Sequence, residues 1–270
     1  MDRSILALRD DPTDCSRPVE TPVRSALSLG FDLALPGRCP VCDAQVATTG
    51  RFCAICFLEA SLVSEPFCRR CGIPFDDGPA RSICAACYAN PPSFGRARAV
   101  LSYDDLARRL ILPLKYSGRS EAARAFATQM LRAGRSTFLR ADLLVPVPMH
   151  TRRLRQRRYN QAALLTLALS HLTSVPALPD ALIRIRSTAP LKTLSARSRR
   201  AEVSGAFKIR PRRRKIVEGA RIVLVDDVMT SGATVTACTD ALMTAGAASV
   251  DVVAMARTVR PDIGSALELT

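Results

Sequence analysis

The period of the hydrophobic positions changes several times along this chain, and each change marks an element. Ile222, Val223, Leu224 and Val225 form an unbroken apolar run. Such a run suits a strand covered on both faces in a parallel sheet, whereas a half-wet strand alternates apolar with polar positions. Leu143 to Val147 is a second buried strand, Ala97 to Tyr103 and Ser249 to Ala256 are two more, and Ala181 to Ile185 is a short one. Helical spacing runs over Asp104 to Tyr116, Arg119 to Ala133, Asn160 to Leu172 and Val235 to Ala245, with Gly118 separating the first two. Strands alternating with helices predict an α/β fold on a parallel sheet flanked by helices.

Upstream of Pro91-Pro92 this pattern is absent. Four C-x-x-C pairs take its place, Cys39/Cys42, Cys53/Cys56, Cys68/Cys71 and Cys84/Cys87, holding eight of the ten cysteines. Each pair can present two thiolates to one tetrahedral Zn²⁺, and two pairs close a site. Two structural zinc sites are expected, and either sequential or interleaved pairing satisfies the spacing. A module this short lacks a sufficient apolar core, so metal binding would supply its folding free energy. Disulfides fit poorly with a chain that shows no export signal. Cys15 and Cys238 are expected to be unligated, Cys238 as a small core residue. Phe52, Phe57 and Phe67 read as ribbon core.

Residues 1 to about 35 have little punctuation, although Val23 to Leu35 has the spacing of an amphipathic helix. The organisation expected is a tail over 1–35, a cysteine module over 36–92 and the α/β domain over 93–270. A length of 270 residues accommodates one ordinary domain plus a smaller module.

Candidate chemistry concentrates after the buried strand of Ile222 to Val225. Asp226 and Asp227 stand at its carboxyl end, where open α/β sheets bind ligands. Adjacent carboxylates there can accept hydrogen bonds from vicinal hydroxyls or help hold hydrated Mg²⁺. Met229, Thr230, Ser231, Gly232, Ala233 and Thr234 follow, small and hydroxyl-rich, before a helix begins. Backbone N–H groups, hydroxyls and the helix dipole would together cradle a phosphate.

The run RIVLVDDVMTSGAT (Arg221 to Thr234) resembles the phosphoribosyl pyrophosphate (PRPP) signature of the type I phosphoribosyltransferases. The resemblance implies ribose hydroxyls on Asp226 and Asp227 and the 5′-phosphate on Thr230 to Thr234. LILPLKYSGR, LVPVPMHTRRLRQRRYNQA and TAPLKTLSARSRRAEVSGAF, with the cysteine pairs, resemble the ComF family of competence-related proteins. That family pairs a zinc ribbon with a phosphoribosyltransferase-type domain. The resemblance further implies a pyrophosphate loop at Pro148, Met149 and His150, and possible partners in single-stranded DNA and a DNA-uptake helicase. One departure is Arg158, which stands where related sequences tend to have glycine in R-G-F-N-Q. In the hood, Leu191 and Glu202 replace a frequent glutamine and a frequent asparagine.

Charge adds to this picture. The chain carries a net +15, which points to an anionic partner such as a nucleotide, PRPP, nucleic acid or a membrane surface. Between Arg184 and Lys215 lie twelve basic residues against one acidic residue, Glu202. This stretch would serve as a hood over pyrophosphate, with Lys192 and Arg200 as the leading contacts, or as a track for single-stranded nucleic acid. Arg152, Arg153, Arg155, Arg157 and Arg158 form a second cationic run, read as a loop. Lys115 and Tyr116 would line the crevice or end a helix. A 48% hydrophobic content excludes a disordered chain, and no apolar stretch reaches the roughly 18 residues of a spanning helix. The acidic, interrupted amino terminus differs from a secretory signal, so a cytoplasmic protein is expected.

Overall fold

The computed structural model describes residues 37–39, 41–47, 51–75, 82–116, 120–186 and 201–259. The helix expected over 23–35, Cys15, Lys192 and Arg200 lie outside them.

The cysteine module carries four short elements: β1 (Gly37–Arg38) paired antiparallel with β2 (Gln45–Val46), α1 (Ala54–Leu58) and α2 (Ala85–Ala89). The α/β part follows with β3 (Ala97–Ser102), α3 (Asp105–Tyr116), α4 (Ser120–Ala133), α5 (Arg135–Phe138), β4 (Leu143–Pro146), α6 (Thr151–Arg157) and α7 (Gln161–Thr173). Next come β5 (Leu182–Arg184), β6 (Phe207–Ile209), α8 (Arg214–Val217), β7 (Arg221–Met229), α9 (Ala233–Thr244) and β8 (Ser249–Arg257).

Four of the five expected strands form one parallel sheet in the order β3-β8-β7-β4. The continuous apolar runs are explained by cover on both faces. Leu144, Val223, Val225, Val253 and Met255 face Leu110, Phe126, Met130, Leu165 and Leu169 of α3, α4 and α7. Their sequence neighbours Leu143, Val145, Ile222, Leu224 and Val252 face Val235, Cys238 and Leu242 of α9. Cys238 is fully buried there, as its small apolar character predicts.

The fifth strand departs from the expectation. β5 belongs to a separate two-stranded antiparallel sheet with β6, a strand the sequence pattern does not reveal. Phe207–Ile209 is only three residues long and sits within the basic stretch, so no periodicity develops. The arginine run after His150, read as a loop, is helical as α6. Its seven residues carry one leucine and no apolar stripe, which removes the usual signal.

The cysteine module closes the open edge of the sheet at β3. Val63 N–H donates to Val100 O at 2.9 Å, Ser102 N–H to Ser61 O at 2.8 Å, and Ala97 N–H to Arg70 O at 2.6 Å. An exposed strand edge would otherwise offer unpaired backbone groups to other chains. Gly72 makes the approach possible, because a Cβ there would stand 2.6 Å from Ala97 O and its φ is +69°. The module reaches both faces: Phe52 packs toward the α3/α4/α7 layer, and Cys68, Cys71 and Cys87 join the α9 layer. Phe67 lies under the Arg98 guanidinium at 4.6 Å. Phe57, expected in the ribbon core, is 53% exposed, as the five apolar residues of α1 turn only Cys56 inward and the small ribbon has too little structure to cover the rest. Among the described residues no helix is long and apolar enough to cross a membrane.

Candidate functional site

The double acid sits where two strands part. β4 pairs with β7 only as far as Pro146 opposite Val225, with Val147 N–H donating to Val225 O at 2.9 Å. β7 continues along β8, with Asp226 opposite Ala254 and Met229 opposite Arg257. The carboxylates therefore lie within β7 but beyond its last pairing with β4, slightly inside the strand end expected from the apolar run. Asp226 is buried, its Oδ1 accepting from Asp227 N–H at 2.9 Å. Asp227 is half-buried, and its Oδ1 accepts from Val228 N–H at 2.8 Å. These local bonds fix the carboxylates to the strand that carries them.

After Met229, whose carbonyl accepts from Thr258 N–H at 3.0 Å, the chain turns into α9. Gly232 is the residue before the helix, in the left-handed region at φ 78°. No side chain caps the first turn and no acidic residue lies in it, so the dipole at this end is uncompensated within the helix. Thr230 is exposed, Ser231, Gly232 and Thr234 are half-buried, and Ala233 is buried. The Ser231 hydroxyl is occluded from solvent and has no hydrogen-bond partner among the described residues. An occluded hydroxyl without a partner is costly unless a ligand or water completes it.

Pro148, Met149 and His150 follow Val147 at the same end of the sheet, the position the sequence assigns to them. His150 Nδ1 accepts from Arg152 N–H at 3.3 Å and caps α6. Asn160 caps α7 through Ala162 N–H and donates from Nδ2 to Val147 O at 3.0 Å. Between the two helices Arg158 adopts φ 65° in the left-handed region. Arginine occupies this conformation at a steric cost, at the position where the family resemblance leads one to expect glycine.

The β5–β6 hairpin leans on α9 beside the double acid. Burial pushes the Cys238 thiol up, the Asp226 carboxylate adds to the effect, and Arg184 opposes it, so both charges act on one turn of α9. Arg184 lies over the Phe207 ring at 5.4 Å, and burial followed by the nearby Arg153 charge lowers its pKa. Arg184 of β5 is thus close enough to Arg153 of α6 for each charge to act on the other. Lys115 and Tyr116 fall within the last turn of α3.

The eight paired cysteines form two groups, Cys39/Cys42/Cys53/Cys56 and Cys68/Cys71/Cys84/Cys87, with the Sγ atoms of each within 4.8 Å of one another. The pairing is sequential, and no disulfide joins them. Sulfurs on a Zn²⁺ tetrahedron with bonds of about 2.3 Å lie roughly 3.8 Å apart. Cys42 and Cys53 Sγ are 3.6 Å apart, and Cys71 and Cys84 Sγ 3.7 Å. Cys56 N–H donates to Cys53 Sγ at 3.4 Å, and Cys84 N–H to Cys68 Sγ at 3.3 Å, contacts that favour thiolate. Burial raises the Cys39 thiol, but backbone N–H groups of Cys53, Cys42 and Val41 outweigh it and bring it to about 7. Hydrogen bonds from Cys71 and Cys84 hold Cys68 far below the usual thiol range, while those from Cys68 and Cys84 push Cys71 up and burial pushes Cys56 and Cys87 up. The thiols of each group thus titrate as a set, and it is the geometry that speaks for a metal. The donor sets fit two structural zinc sites.

Arg257 is the polar side chain the sequence pattern did not single out. It follows the apolar run of β8 and is 7% exposed. Its only signal in the sequence is a cation directly after a buried strand, which by itself suggests a solvated strand end.

A double zinc ribbon domain model matches residues 30–88, and a phosphoribosyl transferase domain model matches residues 153–261. DNA utilization protein YhgH of Escherichia coli O157:H7 is 34% identical over 234 residues, covering 84% of this chain and 100% of that protein. Competence protein F of Haemophilus influenzae is 28% identical over 227 residues, covering 82% and 96% respectively. Competence protein ComFC of Bacillus subtilis is 25% identical over 195 residues, covering 68% and 74%.

Proposed function

The chain belongs to the ComF/YhgH family, with its double zinc ribbon and phosphoribosyltransferase domain, and from that premise we propose that it binds PRPP or a related ribose phosphate at the carboxyl end of β7. The observation carrying this reading is Asp226-Asp227 placed just beyond the last β4 pairing, followed by an uncapped helix start at Gly232. Asp226 and Asp227 would hold the ribose hydroxyls, and Met229 to Thr234 the 5′-phosphate through backbone N–H groups and the Ser231 and Thr230 hydroxyls. Pro148, Met149 and His150, with Lys192 and Arg200, would hold the pyrophosphate.

Mg²⁺, when bound with PRPP, would neutralise pyrophosphate charge and favour its departure from the ribose. The carboxylate pair suits a cation that keeps most of its waters and takes one or two protein oxygens. The protein's own part is to orient the sugar and exclude water, with the acceptor nucleophile undefined by the residues at hand. The ribbon, proposed to span 36–92, and the domain over 93–270 would act together in DNA uptake or utilisation, as the names of the relatives suggest.

A second reading, a non-catalytic module for single-stranded DNA on a retained PRPP fold, is favoured by one feature. Arg152, Arg153, Arg155 and Arg158 are exposed around α6, and Phe57 and Tyr88 are exposed on the ribbon helices at 53% and 84%. Cations for phosphates and rings for bases are what such a module needs. Calorimetric titration with PRPP and Mg²⁺, followed by pyrophosphate release with a panel of nucleobases, separates the readings. Binding with turnover supports the enzyme, binding without turnover supports the module, and no binding refutes the PRPP site.

A further inference from the structure

Arg257 stands between the second cysteine cluster and the phosphate loop. Its Nη1 donates to the Cys71 carbonyl and also to Met229 Sδ at 3.9 Å. Its Nε is occluded and has no partner among the described residues, and no carboxylate among them forms a salt bridge with it. A buried guanidinium paired only with a carbonyl and a thioether is poorly compensated, because desolvation of the cation calls for an anion. The second cluster is an anion that the donor set can create beside it, since Arg257 hydrogen-bonds the backbone of Cys71, one of the four ligands. Four thiolates outweigh one dication, so a Zn²⁺-loaded Cys68/Cys71/Cys84/Cys87 centre carries net negative charge.

The other end of the contact reaches the ligand loop. Met229 is paired with Arg257 across β7 and β8, and the Met229 carbonyl accepts from Thr258 N–H at 3.0 Å. Met229 is followed immediately by Thr230 and Ser231. Tyr103 N–H donates to Arg257 O at 2.7 Å, which fixes the same backbone to the segment after β3. A displacement of Arg257 therefore moves the residue from which the loop departs.

We propose that Arg257 is a positioning residue that compensates the charge of the second zinc centre and, through Met229, couples occupancy of that centre to the ribose-phosphate loop. The loop half of this proposal rests on the PRPP reading; the charge half does not. Ligand binding at the loop and metal retention in the second cluster are then linked, and linkage is reciprocal. At the first cluster the comparable contact among the described residues comes from the exposed Arg38, whose Nη1 donates to Asp43 O at 2.9 Å, so solvent already screens that charge and this cluster serves as the internal control.

The test uses the full chain loaded with zinc. Zinc release to a colorimetric chelator is followed with and without saturating PRPP, beside calorimetric PRPP affinity, for the unmodified chain, Arg257→Met and Arg257→Lys. A Cys42→Ser chain, lacking a first-cluster ligand, assigns the two release phases. In Arg257→Met the second-cluster ion is expected to leave about 10-fold faster or more, the scale typical for loss of a supporting contact around a metal site, with the first-cluster ion unchanged. PRPP affinity falls as well, and PRPP slows second-cluster release in the unmodified chain but not in Arg257→Met. Arg257→Lys keeps the charge without the fork and is expected to fall between the two.

Wild-type release of the second ion in Arg257→Met, or equal acceleration of both ions in a folded chain, overturns the proposal. Where Arg257→Met does not fold, Arg257→Gln, which keeps a donor for the Cys71 carbonyl but removes the charge, takes its place, and wild-type release of the second ion in that variant overturns the proposal. Failure of the unmodified chain to bind PRPP refutes the ligand reading separately, and the release rates still decide the charge compensation.

Discussion

Asn160 and Val147 are joined by a hydrogen bond of 3.0 Å from the Asn160 side-chain amide to the Val147 carbonyl, which ties the start of α7 to the strand end where the proposed pyrophosphate loop, residues 148–150, begins. The same side chain caps α7 through Ala162 N–H. Asn160→Ala removes both contacts and leaves the Val147 carbonyl without this donor. A loss of about 1–2 kcal/mol in folding stability is expected, measured by urea unfolding. PRPP affinity should fall in parallel, because the loop of residues 148–150 loses its tether.

Arg158 lies two residues earlier with φ 65°. Substitution by glycine relieves the left-handed strain and loosens the unfolded chain, two effects of opposite sign. The net expectation for Arg158→Gly is a gain of about 0.5–1 kcal/mol, read from the urea midpoint at constant slope. A loss of stability would show that the arginine side chain contributes more than its backbone costs.

The extent to which the chain could be read in advance follows from which signals are local. Ile222 to Val225 and Leu143 to Val147 declare themselves because burial on both faces demands unbroken apolar runs. The cysteine pairs declare their ligand chemistry, but only the fold shows that consecutive pairs meet. β6 and α6 are hidden because short elements in arginine-rich sequence develop no period. Phe57 illustrates the reverse error, since an aromatic near a metal knuckle suggests core and the small ribbon leaves it exposed. Arg257 is illegible in principle, as its partner Cys71 lies 186 positions away.

Ser231 offers a test in which stability and binding separate. Its hydroxyl has no partner among the described residues, so Ser231→Ala removes no hydrogen bond from the unliganded chain. Thermal stability should be unchanged or slightly raised. Affinity for PRPP should drop by about 1.5–3 kcal/mol, roughly 10- to 100-fold, if the hydroxyl donates to the 5′-phosphate.

Asp142 and Arg221 supply a pH dependence. Arg221 donates from Nε and Nη2 to the Asp142 carboxylate at 2.9 and 2.7 Å, and its backbone N–H donates at 2.8 Å. These side-chain bonds first, and the backbone bond next, hold the Asp142 carboxyl well below the usual range. A folded pKa below the unfolded value of about 3.9 means the contribution is present above that pH and fades as pH falls through the folded pKa. The pair is exposed, so solvent screens it and the effect is small. The melting-temperature difference between the unmodified chain and Asp142→Asn should be visible near neutrality and shrink as the pH is lowered below about 4.

The PRPP site itself is tested most directly by calorimetric titration of PRPP with Mg²⁺ into the unmodified chain and into Asp226→Ala/Asp227→Ala, both with zinc retained. Binding to the unmodified chain and its loss in the double variant, with unchanged zinc content, is the expected result. Equal affinity in the two chains would contradict the assignment of the ribose to Asp226 and Asp227.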